Sequence, residues 1–383
     1  MRRRGSSALC RRSRAGEATV RGSAVGCRRA RRGPRPARPR PGVEQRGLLG
    51  RRASLARWRG AQISPGWTGR QSRVVRLATY TVTEIKCVGI YYHPRLDEAR
   101  AAADDLAADL NKRGVDVWTS MPWEPEQSTE HLPRTDLLIC LGGDGTILRA
   151  ARASAGHDCL ILGVDLGRQA FLTELLPEQL DEHIPDLFDG NFMIEDRTML
   201  EARPIGVDGE APGKLPALND VMIGRGSLGQ PAYIAVWVGG DLVGVVRADA
   251  VVVASATGST GYSLSAGGPI LHPQARNVVL TPVAPHLAQA APMVLPGDAV
   301  IELRLGREHP GSLSVDGQRP FALHPGGGVE VRRSESLARL IRFGERPFFA
   351  QLGRRLAWLD ERRIEAVSRT GVEAFDQKTA DPS

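Results

Sequence analysis

Two stretches of the sequence gather residues able to handle a phosphorylated ligand. The first is Gly142-Gly143-Asp144-Gly145-Thr146. Paired glycines let phosphate oxygens approach backbone N–H groups, and a helix starting there would turn its positive end toward the anion. An acid in such a turn would repel phosphate if anion binding were its only purpose. It makes sense if the carboxylate takes a proton from a hydroxyl attacking the phosphate, or holds a metal beside it. The turn would serve equally as a tight connection with Asp144 as a helix cap, and these five residues alone leave both readings open. The second stretch is Thr257-Gly258-Ser259-Thr260-Gly261-Tyr262-Ser263-Leu264-Ser265-Ala266-Gly267-Gly268-Pro269. Its hydroxyls, small residues and single ring suit a pocket for a ribose, an amide and a flat base. A flexible Ser/Gly linker has a similar composition. Against that, an apolar run at 251–253 leads straight in, and Tyr262, Leu264 and Pro269-Ile270-Leu271 supply anchors.

The elements that must position these motifs follow from hydrophobic spacing. Cys87-Val88-Gly89-Ile90-Tyr91-Tyr92 reads as a buried strand, and Leu96, Ala99, Ala103, Leu106 and Leu110 recur at helical spacing before Gly114 stops the run. Residues 115–118 read as a second strand, 121–135 as a loop, and Leu137-Leu138-Ile139-Cys140-Leu141 as a fully buried strand, with helix resuming from Thr146. A further strand at 159–164 and a helix at 178–188 complete an alternation that builds a parallel sheet covered on both faces. The glycine turn then sits at the carboxyl edge of that sheet, where ligands bind. From about Met193 the rhythm changes to short Val-rich segments, at 232–238, 241–246, 299–305 and 328–332, with Gly239-Gly240-Asp241 as a hairpin turn. No helix is expected between 193 and 345. The predicted architecture is an α/β domain with a doubly wound parallel sheet over 85–192, followed by a mostly-β, sandwich-like domain over 193–345.

The two motifs together resemble the bacterial NAD kinase family. Leu166-Gly167-Arg168, Phe171-Leu172-Thr173-Glu174, Leu218-Asn219-Asp220, Arg247-Ala248-Asp249, Thr281-Pro282 and Val315-Asp316-Gly317-Gln318 match further family segments in the same order, over roughly 85–365. The glycine turn alone is shared with diacylglycerol kinases, sphingosine kinases and 6-phosphofructokinases; the Thr257–Pro269 run is far more specific. The resemblance implies transfer of a phosphoryl group from ATP or polyphosphate to the 2′-hydroxyl of the adenosine ribose of NAD, giving NADP. It implies Asp144 as the base, with Gly145 and Arg149 on the same nucleotide and Gly142 and Gly143 facing the phosphate donor. Asn219, Asp220, Arg247, Asp249, Thr260, Gly261, Tyr262, Ser263, Ser265 and Gln318 would complete the NAD site. A divalent cation, Mg²⁺, is implied without a named set of ligands. So are a homodimer or homotetramer and a final segment, 346–375, packing back on the first domain. Departures from the family pattern are Asp165 for Asn, Ala170 and Ala250 for Gly, Ala256 for Pro, Gly261 for Ala, and Gln230 for a basic residue. A lipid kinase of the diacylglycerol or sphingosine type would carry a different second motif. A non-catalytic NAD(P)-binding regulator would have no need of Asp144.

Charge narrows the remaining classes. The chain carries a net charge of +8 over 383 residues, but residues 1–80 hold 22 Arg, no Lys and two acids, leaving −12 on the rest. The basic balance belongs to that tail, and it argues against a nucleic-acid function for the body. The tail lacks hydrophobic period and large apolar residues, so disorder is expected. A transit peptide and a nucleic-acid-binding arm share its composition. The favoured reading is a start codon assigned too far upstream, since the body also prefers Arg over Lys, 25 to four. No apolar run is long enough for a membrane span. The five cysteines form no CxxC or even-numbered framework, which points to a reduced, cytoplasmic protein.

Overall fold

The computed structural model describes residues 84–356, apart from residue 95 and residues 123–127, 167–169, 208–212, 228, 287–289 and 345–347. The Arg-rich segment 1–80, Gly167-Arg168 and residues 357–375 lie outside the described residues.

Four parallel strands, β1 (Cys87–Tyr92), β2 (Asp116–Ser120), β3 (Leu137–Leu141) and β4 (Leu160–Val164), pair in the order β2-β1-β3-β4. Three helices cover them: α1 (Asp97–Lys112), α2 (Asp144–Ala153) and α3 (Pro177–Asp189). Alternate strand residues face opposite layers, as the pleat requires. Leu137, Ile139 and Leu141 pack with Leu106 and Leu110 of α1 and Leu180, Ile184 and Leu187 of α3. Leu138 and Cys140 pack with Ile147, Ala150 and Ala151 of α2. This is the doubly wound arrangement expected from the sequence, and α2 begins at Asp144, two residues earlier than the apolar spacing suggested.

The remaining elements are β5 (Met193–Val207), β6 (Leu215–Ala217), β7 (Asp220–Arg225), β8 (Ala232–Val238), β9 (Asp241–Ala248), β10 (Ala250–Ala254), α4 (Tyr262–Ser265), β11 (Val278–Val283), β12 (Met293–Leu295), β13 (Ile301–Leu305), β14 (Gly311–Val315), β15 (Phe321–Arg342) and α5 (Phe348–Arg355). Their pairings are antiparallel except at one place. Val221, Ile223, Val251, Val253 and Leu313 from one side, and Ile234, Val236, Ile301, Leu303, Val329 and Val331 from the other, share one apolar core. That is the sandwich-like half. Gly239 and Gly240 both take positive φ and close the β8–β9 hairpin, as their type predicts.

Two features differ from the sequence expectation. The segment 328–332 is only part of β15, which runs 22 residues and keeps pairing with β5 through register shifts near Gly328 and Leu337. Its far end returns to the α/β half, where Arg339 and Leu340 pair in parallel with Leu160 and Ile161 of β4. The two halves therefore share one continuous sheet. The region 193–345 also contains helix: a 3₁₀ turn at Gly258–Thr260 and the single turn α4, both within the polar-glycine run.

Candidate active site

The β3–α2 turn delivers Asp144 to the carboxyl edge of the sheet, at the first position of α2. Its carboxylate is fixed by two backbone donors, Phe171 N–H to Oδ2 at 3.0 Å and Leu172 N–H to Oδ1 at 2.8 Å. Each oxygen keeps a second lone pair for a further proton donor. The glycines divide into two kinds. A side chain on Gly142 would collide with the Thr146 hydroxyl, whereas beside Gly143 and Gly145 there is only open space where a Cβ would stand. Backbone exposed at the start of a helix is the ordinary setting for phosphate.

Asp144 opens into a narrow cleft of about 90 Å³, lined also by Leu172, Arg197, Asn219, Thr257, Thr260, Gly261 and, from α5, Phe348 and Gln351. Four of the residues implied by the resemblance therefore meet there: Asp144, Asn219, Thr260 and Gly261. The Leu218-Asn219-Asp220 segment is held from two sides. Asp316 accepts the N–H groups of Leu218, Asn219 and Asp220 at 2.9, 2.8 and 3.1 Å. Ser255 donates its hydroxyl to the Leu218 carbonyl at 2.5 Å and its N–H to the Asn219 carbonyl at 2.8 Å. A Cβ on Gly258 would fall inside that same carbonyl, so only glycine lets the Thr257 loop pack against Asn219. Asp316 sits at φ 49°, a left-handed conformation that Asp and Asn tolerate better than most residues. Burial, reinforced by the Asp316 charge, pushes the Asp220 carboxyl up to about 7.

The other implied residues lie around or away from this cleft. Tyr262 is 47% exposed, which excludes a core ring, and Ser265 is exposed at the end of α4. Ser263 is fully buried, and its Oγ lies 2.8 Å from Thr281 Oγ1. Gln318 accepts a hydrogen bond from Arg152 at 2.6 Å and thus ties α2 to the β14–β15 turn. Arg149, one turn earlier on α2, has its pKa lowered by burial. Arg247 and Asp249 do not join the cleft. Asp249 pairs with Arg225 at 2.9 Å, and the Arg247 guanidinium lies 5.7 Å from the Tyr233 ring centre. These residues stand at the opposite end of β7 and β10 from Asp220 and Ala254, about 17 Å of strand away at 3.3–3.4 Å per residue. A larger cavity of about 440 Å³ lies at that end, lined by Arg225, Gln230, Tyr233, Arg307 and His309. It is remote from Asp144.

The structure shows the local setting of two departures from the family pattern, Asp165 and Ala256. Asp165 accepts the N–H of Ala170 at 3.0 Å, a bond an Asn carbonyl would make equally well. Ala256 is buried in the cleft wall, where its carbonyl accepts from Ser259 Oγ at 2.6 Å.

Sequence reasoning missed a buried chain of charges behind the cleft. Arg197 donates to Glu195 at 2.9 Å, and Arg342 donates to Glu195 at 2.8 Å, to Glu174 at 3.1 Å and to the Leu172 carbonyl at 3.0 Å. Burial alone would raise Glu195, but the two arginines outweigh it and hold the carboxyl at about 2. The chain braces the Phe171-Leu172 backbone that fixes Asp144. Its members are up to 168 positions apart, so no local pattern announces them.

Comparison with known proteins bears on this geometry. Residues 68–192 match the family model for the ATP-NAD kinase N-terminal domain, and residues 218–343 match that for the ATP-NAD kinase C-terminal domain. An NAD kinase of Heliobacterium modesticaldum is 41% identical over 270 residues, covering 68% of this chain and 95% of that protein. An NAD kinase of Dehalococcoides mccartyi is 34% identical over 264 residues, covering 69% and 93%. Among solved structures, a yeast NADH kinase complexed with NADH is 25% identical, with a TM-score of 0.64 over 72% of this chain and 88% of that one. An NAD kinase from Archaeoglobus fulgidus in complex with ATP shares the fold, at 24% identity and a TM-score of 0.57 over 72% and 100%.

Proposed function

The chain belongs to the NAD kinase family, and from that membership we propose how its cleft phosphorylates NAD to NADP with ATP as co-substrate. Asp144 acts as general base. A secondary alcohol is a poor nucleophile at neutral pH, so the 2′-hydroxyl must come within about 2.6–3.2 Å of the carboxylate. The observation that carries this role is the fixing of both Asp144 oxygens by Phe171 and Leu172 N–H, in the cleft that also holds Asn219, Thr260 and Gly261. As the proton moves to Asp144, the oxygen bonds to the γ-phosphorus and the bridging bond of ATP breaks, releasing ADP. The open backbone at Gly143 and Gly145 suits the donor phosphates. Asn219 holds the ribose, and the exposed ring of Tyr262 stacks on a base. Neither a lipid kinase nor a non-catalytic regulator has support from the matched domains.

The described residues do not build a cage for a divalent cation. Among the described residues no three His, Cys, Asp or Glu side chains lie together for one, and Asp144 is the only carboxylate on the cleft wall. Mg²⁺ ordinarily binds through substrate phosphates and water with one or two carboxylates, so it would arrive with ATP, and no step here runs through it.

The distance between Asp144 and the Arg247–Asp249 pair supports a homodimer or larger assembly, in which a second copy brings that pair to the dinucleotide. Strand β9 offers an edge for it: among the described residues β9 pairs only with β8, and Leu242, Val243 and Val245 are each more than half exposed. No described helix is long and apolar enough to cross a membrane. The free, buried Cys87, Cys140 and Cys159 suit the reducing cytoplasm. Incubating the purified full chain with NAD and ATP, then with polyphosphate, tests the activity and the donor. NADP should form with ATP, and no NADP with either donor would refute the proposed function.

A further inference from the structure

One cation stands in the wall of the Asp144 cleft. Among the described residues Arg197, from β5, is the only basic one lining it, as Asp144 is the only acidic one. Its side chain is 8% exposed. Burying a guanidinium is costly unless a carboxylate and good hydrogen bonds accompany it. Here the compensation is incomplete. Glu195 is shared between Arg197 and Arg342, so Arg197 receives only part of one carboxylate. The bond from Nη1 to Thr257 Oγ1 is long, at 3.3 Å. The Nε–H is buried with no partner among the described residues. Burial lowers the Arg197 pKa, Glu195 pulls it back, Arg342 lowers it again, and Asp144 is close enough to add a smaller pull upward. A buried donor left over in a cleft wall calls for an explanation, and an anionic ligand supplies one.

The charges agree. Glu174, Arg342, Glu195 and Arg197 sum to zero, so an ionised Asp144 leaves the group at −1 and repels an arriving phosphoryl group. Phosphoryl transfer rests on positioning and on cations that meet the charge of the transferred group. We propose that Arg197 contacts the phosphoryl group in transit to the ribose and keeps that contact with the 2′-phosphate of the product. The inference rests on Asp144 as the base at the same place: the 2′-hydroxyl proton goes to Asp144, the P–O bond to the ribose forms, and the bond to the leaving ADP breaks. Arg197 stabilises the group that changes hands and takes no proton.

Equilibrium binding separates this from a purely structural role, because NAD and NADP differ only by the phosphate in question. Calorimetry on the full chain without ATP should show Arg197→Met binding NADP on the order of 10- to 100-fold more weakly than wild type, the range for a hydrogen bond to a charged group. NAD affinity should change by no more than a few-fold. Glu195 keeps Arg342 in this variant, so the other members of the chain stay paired. Arg197→Lys keeps a cation opposite Glu195 without the planar fork. It should fold even if the methionine variant does not, and should still weaken NADP several-fold more than NAD. Equal loss of NAD and NADP affinity, or loss of neither, overturns the inference. The Asp144 reading fails differently, by normal turnover in Asp144→Asn, whatever the NADP-to-NAD ratio of the Arg197 variants.

Discussion

Replacing Asp316 should loosen the Asn219 loop by an amount the hydrogen bonds allow one to work out. The carboxylate accepts three backbone N–H groups, from Leu218, Asn219 and Asp220. In Asp316→Ala those donors lose their partner, at about 1–3 kcal/mol for each one that water cannot reach. Taking one or two as unreached gives about 3 kcal/mol, and an alanine at φ 49° adds about 1 kcal/mol of backbone strain. The sum, about 4 kcal/mol, corresponds to a fall in Tm of roughly 10 °C for a body of this size. Asp316→Asn is the sharper probe. Asparagine tolerates the left-handed turn, and its carbonyl oxygen can keep the Asn219 and Asp220 donors that share Oδ1. Only the Leu218 bond, to Oδ2, is lost, so about 1–2 kcal/mol should go. Because Asn219 lines the cleft, both variants should raise the KM for NAD, alanine more than asparagine, with a smaller effect on kcat. The assays are thermal unfolding without ligand and steady-state kinetics with NAD varied. If Asp316→Ala melted within 2 °C of wild type with an unchanged KM, the clamp would have no energetic standing.

The buried carboxyls, the exposed ring and the open strand edge carry further expectations. Asp220 has its folded pKa raised to about 7 by burial and then by Asp316, so its protonated form favours folding. That contribution is full below the unfolded pKa of about 3.9 and is lost as pH rises through about 7, up to about 4 kcal/mol in all. Tm should therefore decline between pH 5 and 8, and Asp220→Asn should flatten the decline; an equally steep profile in the variant would contradict the assignment. Tyr262→Ala should raise the KM for NAD by the loss of about 1–3 kcal/mol of stacking. Since the ring is 47% exposed, Tm should barely move, and a drop of several degrees with normal KM would place the ring in packing after all. Val243→Asp with Val245→Asp, on the exposed edge of β9, should shift the assembly toward monomer in sedimentation, and an unchanged mass would rule out that edge as the contact.

Much of the fold was legible because it is written locally. The buried strands β1, β3 and β4 are continuous apolar runs, and the glycine turn with its acid falls between β3 and α2, where strand and helix periods meet. What escaped was non-local. The return of Arg339 and Leu340 to β4 joins residues about 180 positions apart, and the strand segment expected at 328–332 extends on both sides into β15 across a register shift. The candidate site divides the same way. Asp144, Asn219 and Thr260 came from motifs. Arg197 belongs to no motif, and the clamp that Asp316 places on residues 218–220 lies outside its own segment, because both depend on partners brought in by the sheet. Ser263 came from its motif as well, whereas its contact with Thr281, 18 positions away, is made only by the fold.

The central claim is that Asp144 takes the proton of the attacking hydroxyl. Asp144→Asn preserves the shape of the side chain and can still accept one of the two backbone N–H groups from Phe171 and Leu172. It should lose no more than about 1–2 kcal/mol of stability for the other. Its amide cannot accept the proton, so kcat for NADP formation from NAD and ATP should fall by about 10²–10⁴-fold. The measurement is kcat together with a direct dissociation constant for NAD on the same preparation. A fall of at least about a hundredfold with NAD binding intact is the predicted result; a near-wild-type kcat with intact NAD binding would contradict the account.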